Sequence, residues 1–256
     1  MTIDELRQIY PDATEDTWHR HPNGGGWVQN TATVADSAHV SGRAYVTGHA
    51  QVTEYACVTG RACVSGRACV SGRAHVTGYT YVAGDAHVSG DANVAGAAHV
   101  YGSAYVAGHA EVTGYAYVAG SACVSGRAYV AGAAHVTEYA RVTGRASVSG
   151  CAYVAGAAHV SGSAEVSGAA HVSGSAEVSG SAYVTGGDWL ASPLYIQGSR
   201  HALCQCSKTE IAIGCEVHTV AHWLDHYAEI GRENEYTADE IAEYARYIQV
   251  FWRADQ

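Results

Sequence analysis

Residues 57–74 read CVTGRACVSGRACVSGRA, a six-residue unit written three times with one change. Worked outward, the unit covers most of the chain. Val occupies position 28 and every sixth position to Val184, 27 in succession, and Leu190 and Ile196 fall in the same phase. Ala stands two residues before each Val from Ala32 to Ala182, with Thr80 as the substitute. Gly stands two residues after each Val from Gly42 to Gly186, replaced at Glu54 and Glu138. The unit is Ala-x-Val-small-Gly-x.

A helix cannot use this pattern. Six residues rotate a helix by about 600°, so the valines would spiral over every face, and each Gly would cost about 1 kcal/mol. A short strand can. Ala and Val, two apart, share one face, and the residues beside Val point outward. Gly and its neighbour then form a bend, since a residue without Cβ turns the chain cheaply. Three facets of six residues make a triangular coil of about 18 residues, and stacked coils bury Val and Ala columns that no single unit buries alone. Residues 28–198 give roughly nine to ten coils, a column about 45 Å long at about 4.8 Å per rung. The expected fold is an all-β solenoid, a triangular parallel β-helix.

Units such as VSGRAY, VAGAAH and VTGRAS resemble those of the hexapeptide-repeat, left-handed β-helix family over about two-thirds of the chain. The resemblance implies left-handed winding. Gly comes one position later than is usual there, so a right-handed three-sided solenoid of the polymer-forming cytoskeletal kind stays open. His21-Pro22-Asn23-Gly24-Gly25-Gly26-Trp27-Val28 and the Ile213-Gly214-Cys215 to Trp223 stretch resemble uncharacterised phage and prophage repeat proteins. Many left-handed β-helix proteins are CoA-dependent acyltransferases that work as trimers with a catalytic His and an extruded loop. Here the period does not break between Val28 and Ile196, which leaves no such loop.

Positions 18 apart stack on one facet. One facet reads Trp27, Tyr45, Cys63, Tyr81, His99, Tyr117, His135, Tyr153, His171, an aromatic and imidazole ladder. Ring contacts of this kind are worth about 0.5–1.5 kcal/mol per pair. The ladder either stiffens the sheet or forms a flat face for a partner, to which Tyr is suited. Cys57, Cys63 and Cys69 leave three different facets and cannot pair with one another. His39, Cys57 and His75 stack on adjacent rungs, a column with donors for a soft metal but not a tetrahedral arrangement. Arg43 and Arg61 stack at one corner, read as solvated or as an anion patch.

The ends differ in composition. Thr2-Ile3-Asp4-Glu5 is a capping box opening a short helix to about Tyr10, and with Trp18 and Trp27 residues 1–27 form an N-terminal cap. Residues 199–256 form a C-terminal cap; strands are expected at Leu194–Gln197, just ahead of it, and at Ala202–Cys206 and Glu210–Gly214 within it. A helix from Val220 to Glu233 follows, then one from Thr237 to Arg253. Trp223, Tyr227 and Ile230, then Ile241, Tyr244, Ile248 and Trp252, fall at helical spacing, so the hairpin has an apolar face for docking or dimerisation. Cys204, Cys206, Cys215 and His218 supply the thiolate and imidazole donors that structural zinc prefers. The competing readings are metal-free cysteines, or a reactive Cys215 with His218 or His222 as base.

The formal charge is −10, with Lys+Arg 14 against Asp+Glu 24, and −6 of it lies in residues 188–256 (5 basic, 11 acidic). Acidity without a basic run argues against nucleic acid. No run of 18 apolar residues is present for a membrane span. The first ten residues lack a basic and an apolar region, which together with the unpaired cysteines gives the expectation of a cytoplasmic protein. The functional expectation is a non-enzymatic scaffold. It would bind a protein partner or itself as a homo-oligomer through Tyr81, His99, Tyr117, His135, Tyr153, His171, Trp223 and Tyr227. It would need no cofactor beyond a structural zinc, and the phage resemblance implies host machinery as the target. The alternative is a CoA-dependent acyltransferase.

Overall fold

Strands of two residues recur every six positions from Thr33–Val34 to Tyr183–Val184 in the computed structural model, which describes residues 1–254 with side chains to Phe251. With Trp18–Arg20, Trp27–Gln29 and Asp188–Trp189 they form three sheets, of eleven, nine and nine strands, and within the repeat each strand pairs in parallel with the one 18 residues away. Cys63 pairs with Tyr81 and Tyr81 with His99, while Val64, Val82 and Val100 stack beside them. The result is a β-solenoid of about nine turns. The coils are joined by regular backbone bonds: Arg61 N donates to Gly78 O (2.7 Å), Cys63 N to Thr80 O (2.9 Å) and Ser65 N to Val82 O (2.9 Å).

The interior is one continuous column of Val and Ala at 0–2 % exposure. Burying each Val contributes about 1.5–3 kcal/mol, opposed mainly by the conformational entropy of the chain. The bends explain the glycines. Gly66 has φ +69° and lies directly under Gly84, where an added Cβ would come within 2.9 Å of the Gly84 nitrogen. Both the left-handed backbone and the close approach of coils exclude a side chain there. Glu54 (φ +58°) and Glu138 (φ +60°) hold the same conformation without being Gly. Glu138 recovers part of that cost, because its Oε2 accepts from Gly156 N at 2.8 Å.

The N-terminal cap is α1 (Ile3–Arg7), with the capping box between Thr2 and Glu5 formed. It stops short of Tyr10, just ahead of Pro11, which cannot continue a helix. Leu6, Ala13, Trp18 and Trp27 form its small core. Trp18–Arg20 pairs antiparallel with Trp27–Gln29 and closes that edge of the largest sheet.

At the other end the period slips. Val172 pairs with Trp189, 17 residues on, and not with Leu190. Leu190, in phase with the valines, is 72 % exposed, and Ile196 belongs to a different sheet. The coil therefore ends at Trp189, short of residue 198. A four-stranded antiparallel sheet follows: Tyr195–Gln197, Ala202–Gln205, Glu210–Ile213 and Glu216–Thr219. Its last strand was not expected. Gly214 (φ +62°) and Cys215 form a two-residue hairpin loop that returns the chain, pairing Ile213 with Glu216. The helical hairpin then packs as α2 (Val220–Glu233) and α3 (Ala238–Ala254), the latter opened by the Thr237–Glu240 capping box. Tyr244, Ile248 and Phe251 reach a second core with Leu203, Ile211 and Trp223. Trp252 and Arg253, placed in this helix from the sequence, lie outside the described side chains.

The cap seals the solenoid through backbone contacts. Thr185 N donates to Cys206 O (3.1 Å), and Cys204 Sγ accepts from Tyr183 N (3.3 Å). Cys204 is 4 % exposed and belongs to the valine column, so it plugs the end of the tube.

Candidate interaction face

The largest sheet carries Tyr81, His99, Tyr117, His135, Tyr153 and His171 in one line, as the 18-residue spacing requires. Successive ring centroids lie 6.0, 6.5, 5.1, 5.9 and 4.8 Å apart. The rings lie back over the sheet. Ser65 Oγ donates to Tyr81 Oη and Thr137 Oγ1 to Tyr153 Oη, both at 3.2 Å, and Tyr117 meets Tyr101 edge-on at 4.8 Å. Apart from Tyr117, which meets Tyr101, each ring from Tyr81 to His171 lies over the small residue 16 positions earlier, one rung back, and Ser65, Ala83, Ala119 and Ala155 are buried there although they face outward.

At the N-terminal end of the ladder the surface closes. Tyr10 sits edge-on to Tyr45 at 5.7 Å, and Cys63 is 3 % exposed. Burial pushes the titration of Tyr10, Tyr45 and Cys63 upward, so all three stay neutral at physiological pH. At the far end His171 Nδ1 lies 3.3 Å from Asp188 Oδ1.

Neither outward column of this sheet, from Trp27 to His171 or from Gln29 to Ser173, contains Asp, Glu, Lys or Arg. The other two faces carry Arg141 and Glu177, or Glu111 and Glu165. Three exposed tyrosines stand on the corners that flank the uncharged face: Tyr79 (64 %), Tyr115 (77 %) and Tyr139 (71 %). The repeat does not single them out in the sequence, because each fills the variable position after the Gly or Glu of its bend. From His99 onward the two flanking corner columns, Ala97 to Ala169 and Ser103 to Ser175, also lack charge; the charged neighbours are Glu138 and, on the rung after His171, Asp188. The outcome is a flat, uncharged strip with a tyrosine on each side.

Trp223 and Tyr227 do not join it. Trp223 is 3 % exposed, donates Nε1–H to Ile211 O at 2.9 Å and belongs to the cap core. Tyr227 is half-buried against the same core. Nor do Cys204, Cys206, Cys215 and His218 converge. Cys204 and Cys206 are buried, their thiols pushed up to about 11 by burial, and Cys206 Sγ lies 3.4 Å from Glu210 O. Cys215 is exposed on the hairpin loop, and His218 Nε2 lies 3.2 Å from Glu216 Oε2. Among the described residues no three His, Cys, Asp or Glu side chains form a group that could hold a metal ion. His39 Nδ1 is engaged by Asn23 Oδ1 at 3.0 Å. Arg43 pairs with Glu5, and Arg61 lies over the Tyr79 ring at 5.2 Å, so the stacked arginines each have a partner. Among the described residues no helix is long and apolar enough to cross a membrane.

Compared with protein-family models and with curated proteins, the chain matches none.

Proposed function

We propose that this chain is a non-enzymatic scaffold of the hexapeptide-repeat, left-handed β-helix type, and that it docks a protein partner on the strip from His99 to His171. The observation that carries the reading is the absence of Asp, Glu, Lys and Arg from both outward columns between His99 and Ser173, on a chain of net charge −10. A flat, aromatic, uncharged surface on a rigid sheet loses little on desolvation and pays little ordering entropy when covered. The regular coil supports the same view. Its interior is filled by Val and Ala, and the strands recur without an inserted loop to shape a substrate cleft. The strip also suits a second copy of the chain. The phage resemblance makes a host protein in the cytoplasm the first partner to seek.

The test is affinity capture from a host lysate with the intact chain and with Tyr115→Glu/Tyr139→Glu. Both side chains are exposed, so the fold is retained while charge enters the strip. A specific partner should be captured by the native chain, lost with the double variant and kept by Tyr55→Glu, whose corner borders the other two faces. Capture that survives the double variant contradicts this docking face. Acetyl-CoA-dependent acyl transfer by the purified chain contradicts the non-enzymatic reading.

A further inference from the structure

A cavity of about 110 Å³ opens in the C-terminal cap, between the four-stranded sheet and the helical hairpin. Protein cores are normally close-packed, so a space of this size beside a formed core calls for an occupant. Its lining is mostly apolar and aromatic, with Trp223, Tyr227, Ile230 and Ile248, and also includes His201, Glu216 and Asn234. Its rim carries Arg200. The Arg200 guanidinium lies over the Tyr236 ring at 4.7 Å and donates through Nη1 to Glu235 O at 2.8 Å. That holds the guanidinium in place, and among the described residues its Nε and Nη2 groups make no hydrogen bond.

One carboxylate, Glu240, lies near this cation and another, Glu216, lines the same cavity; both have other partners. Glu240 Oε2 accepts from Thr237 N (2.7 Å) and Thr237 Oγ1 (3.0 Å), and stands 4.0 Å from Arg200 Nη1. Glu216 Oε2 lies 3.2 Å from His218 Nε2. Arg200, in a long ion pair with Glu240, thus places a guanidinium among the residues that line a mostly apolar cavity.

We infer that the cap holds a small-molecule site for a monocarboxylate with a flat or branched apolar body of about six heavy atoms. A dry apolar cavity of about 150 Å³ holds benzene, so one ring or a short branched chain matches the space here. Arginine recognises carboxylate through two parallel N–H bonds. The site is independent of the docking strip, which lies on the solenoid.

The probe is sodium benzoate, with benzyl alcohol as its neutral counterpart, titrated into the full-length chain and followed by two-dimensional NMR. Benzoate should bind saturably and shift the Trp223 indole resonance. Arg200→Gln should weaken benzoate about tenfold and leave benzyl alcohol unchanged. Ile230→Phe, checked for native helicity by circular dichroism, should abolish both by filling the cavity. Absence of saturable benzoate binding overturns the proposal. So does benzoate binding that Arg200→Gln leaves untouched, or that survives Ile230→Phe. If Ile230→Phe fails to fold, the Arg200→Gln comparison decides alone.

Discussion

Thr137 donates its hydroxyl proton to the phenol oxygen of Tyr153 at 3.2 Å, so the ring of one coil lies flat on the small residue of the coil before it. Ser65 and Tyr81 repeat the relation, and Thr143 Oγ1 with His159 Nε2 (3.1 Å) carries it to a second face. The ladder is thus part of the packing of the solenoid as well as its surface. Tyr153→Phe should cost about 0.5–1.5 kcal/mol, the worth of one hydrogen bond. Tyr153→Ala should cost more, since it also removes ring contacts to His135 and His171 at 5.9 and 4.8 Å. Urea unfolding of both variants measures the difference; equal losses contradict the ring-packing account.

Thr80 breaks the alanine column at the point where the chain can least satisfy it. Its side chain is 1 % exposed, and its hydroxyl has no hydrogen-bond partner among the described residues. A buried unsatisfied group costs about 1–3 kcal/mol. Thr80→Val keeps the shape and removes the polar atom, so it should stabilise the chain by about 1 kcal/mol and raise Tm. A lower Tm places an unseen partner on that hydroxyl.

Gly66→Ala should destabilise strongly. The left-handed backbone alone costs a residue with Cβ about 1–2 kcal/mol. The new methyl would also meet the Gly84 backbone at 2.9–3.0 Å, and neither coil can move without its neighbours. Thermal unfolding checks this; a change within about 0.5 kcal/mol, the range of neutral surface substitutions, contradicts the stacked-bend geometry.

Cysteine chemistry separates the two ends of the burial scale. Cys151 and Cys215 are exposed and should react first with a thiol reagent at neutral pH, while Cys63, Cys204 and Cys206 are buried and should react only on unfolding. The thiols of Cys204 and Cys206 rise from the ordinary value of 9.0 to about 11 in the fold. Above pH 9 the unfolded chain loses these protons while the folded chain keeps them. Their contribution is therefore intact below pH 9 and is lost as pH rises toward about 11. Mass spectrometry of labelled peptides and alkaline unfolding of the cap test the two halves of this statement.

Much of the solenoid was legible in the sequence because one constraint repeats. A valine at a fixed interval has to face inward, and a Gly at a fixed offset has to bend the chain, so the sheets and their register follow. Where the repeat stops, so does the reading. Leu190 kept the phase, yet the second Gly of the Gly186–Gly187 pair and the one-residue shift that brings Trp189 into the column put Leu190 outside. The strand Glu216–Thr219 was hidden because none of its four residues is buried, so it carries no hydrophobic signal. The ladder was visible from spacing alone, but the backward lean of its rings was not. That lean depends on the small residue after each Val, a position the period made look incidental. The tyrosines at the corners were missed for the same reason, since only the three-dimensional winding shows which corners border the uncharged face. The cysteines of the cap were seen as possible ligands, but burial separates them: Cys204 fills the end of the tube, Cys206 is buried in the cap and Cys215 is exposed.

The winding itself is open to one direct measurement. His75 and Glu165 are 90 residues apart, yet they stand on one face joined by five parallel rungs through Asn93, Glu111, Tyr129 and Ser147. Spin labels attached through non-natural amino acids at these two sites, which leave the native cysteines in place, report the separation by pulsed electron resonance. Stacked coils of 18 residues predict backbone sites about 24 Å apart, at about 4.8 Å per rung, and a narrow distribution. A broad distribution, or one centred beyond about 50 Å as for a flexible chain of that length, would contradict the coil and with it the strip on which the proposed docking depends.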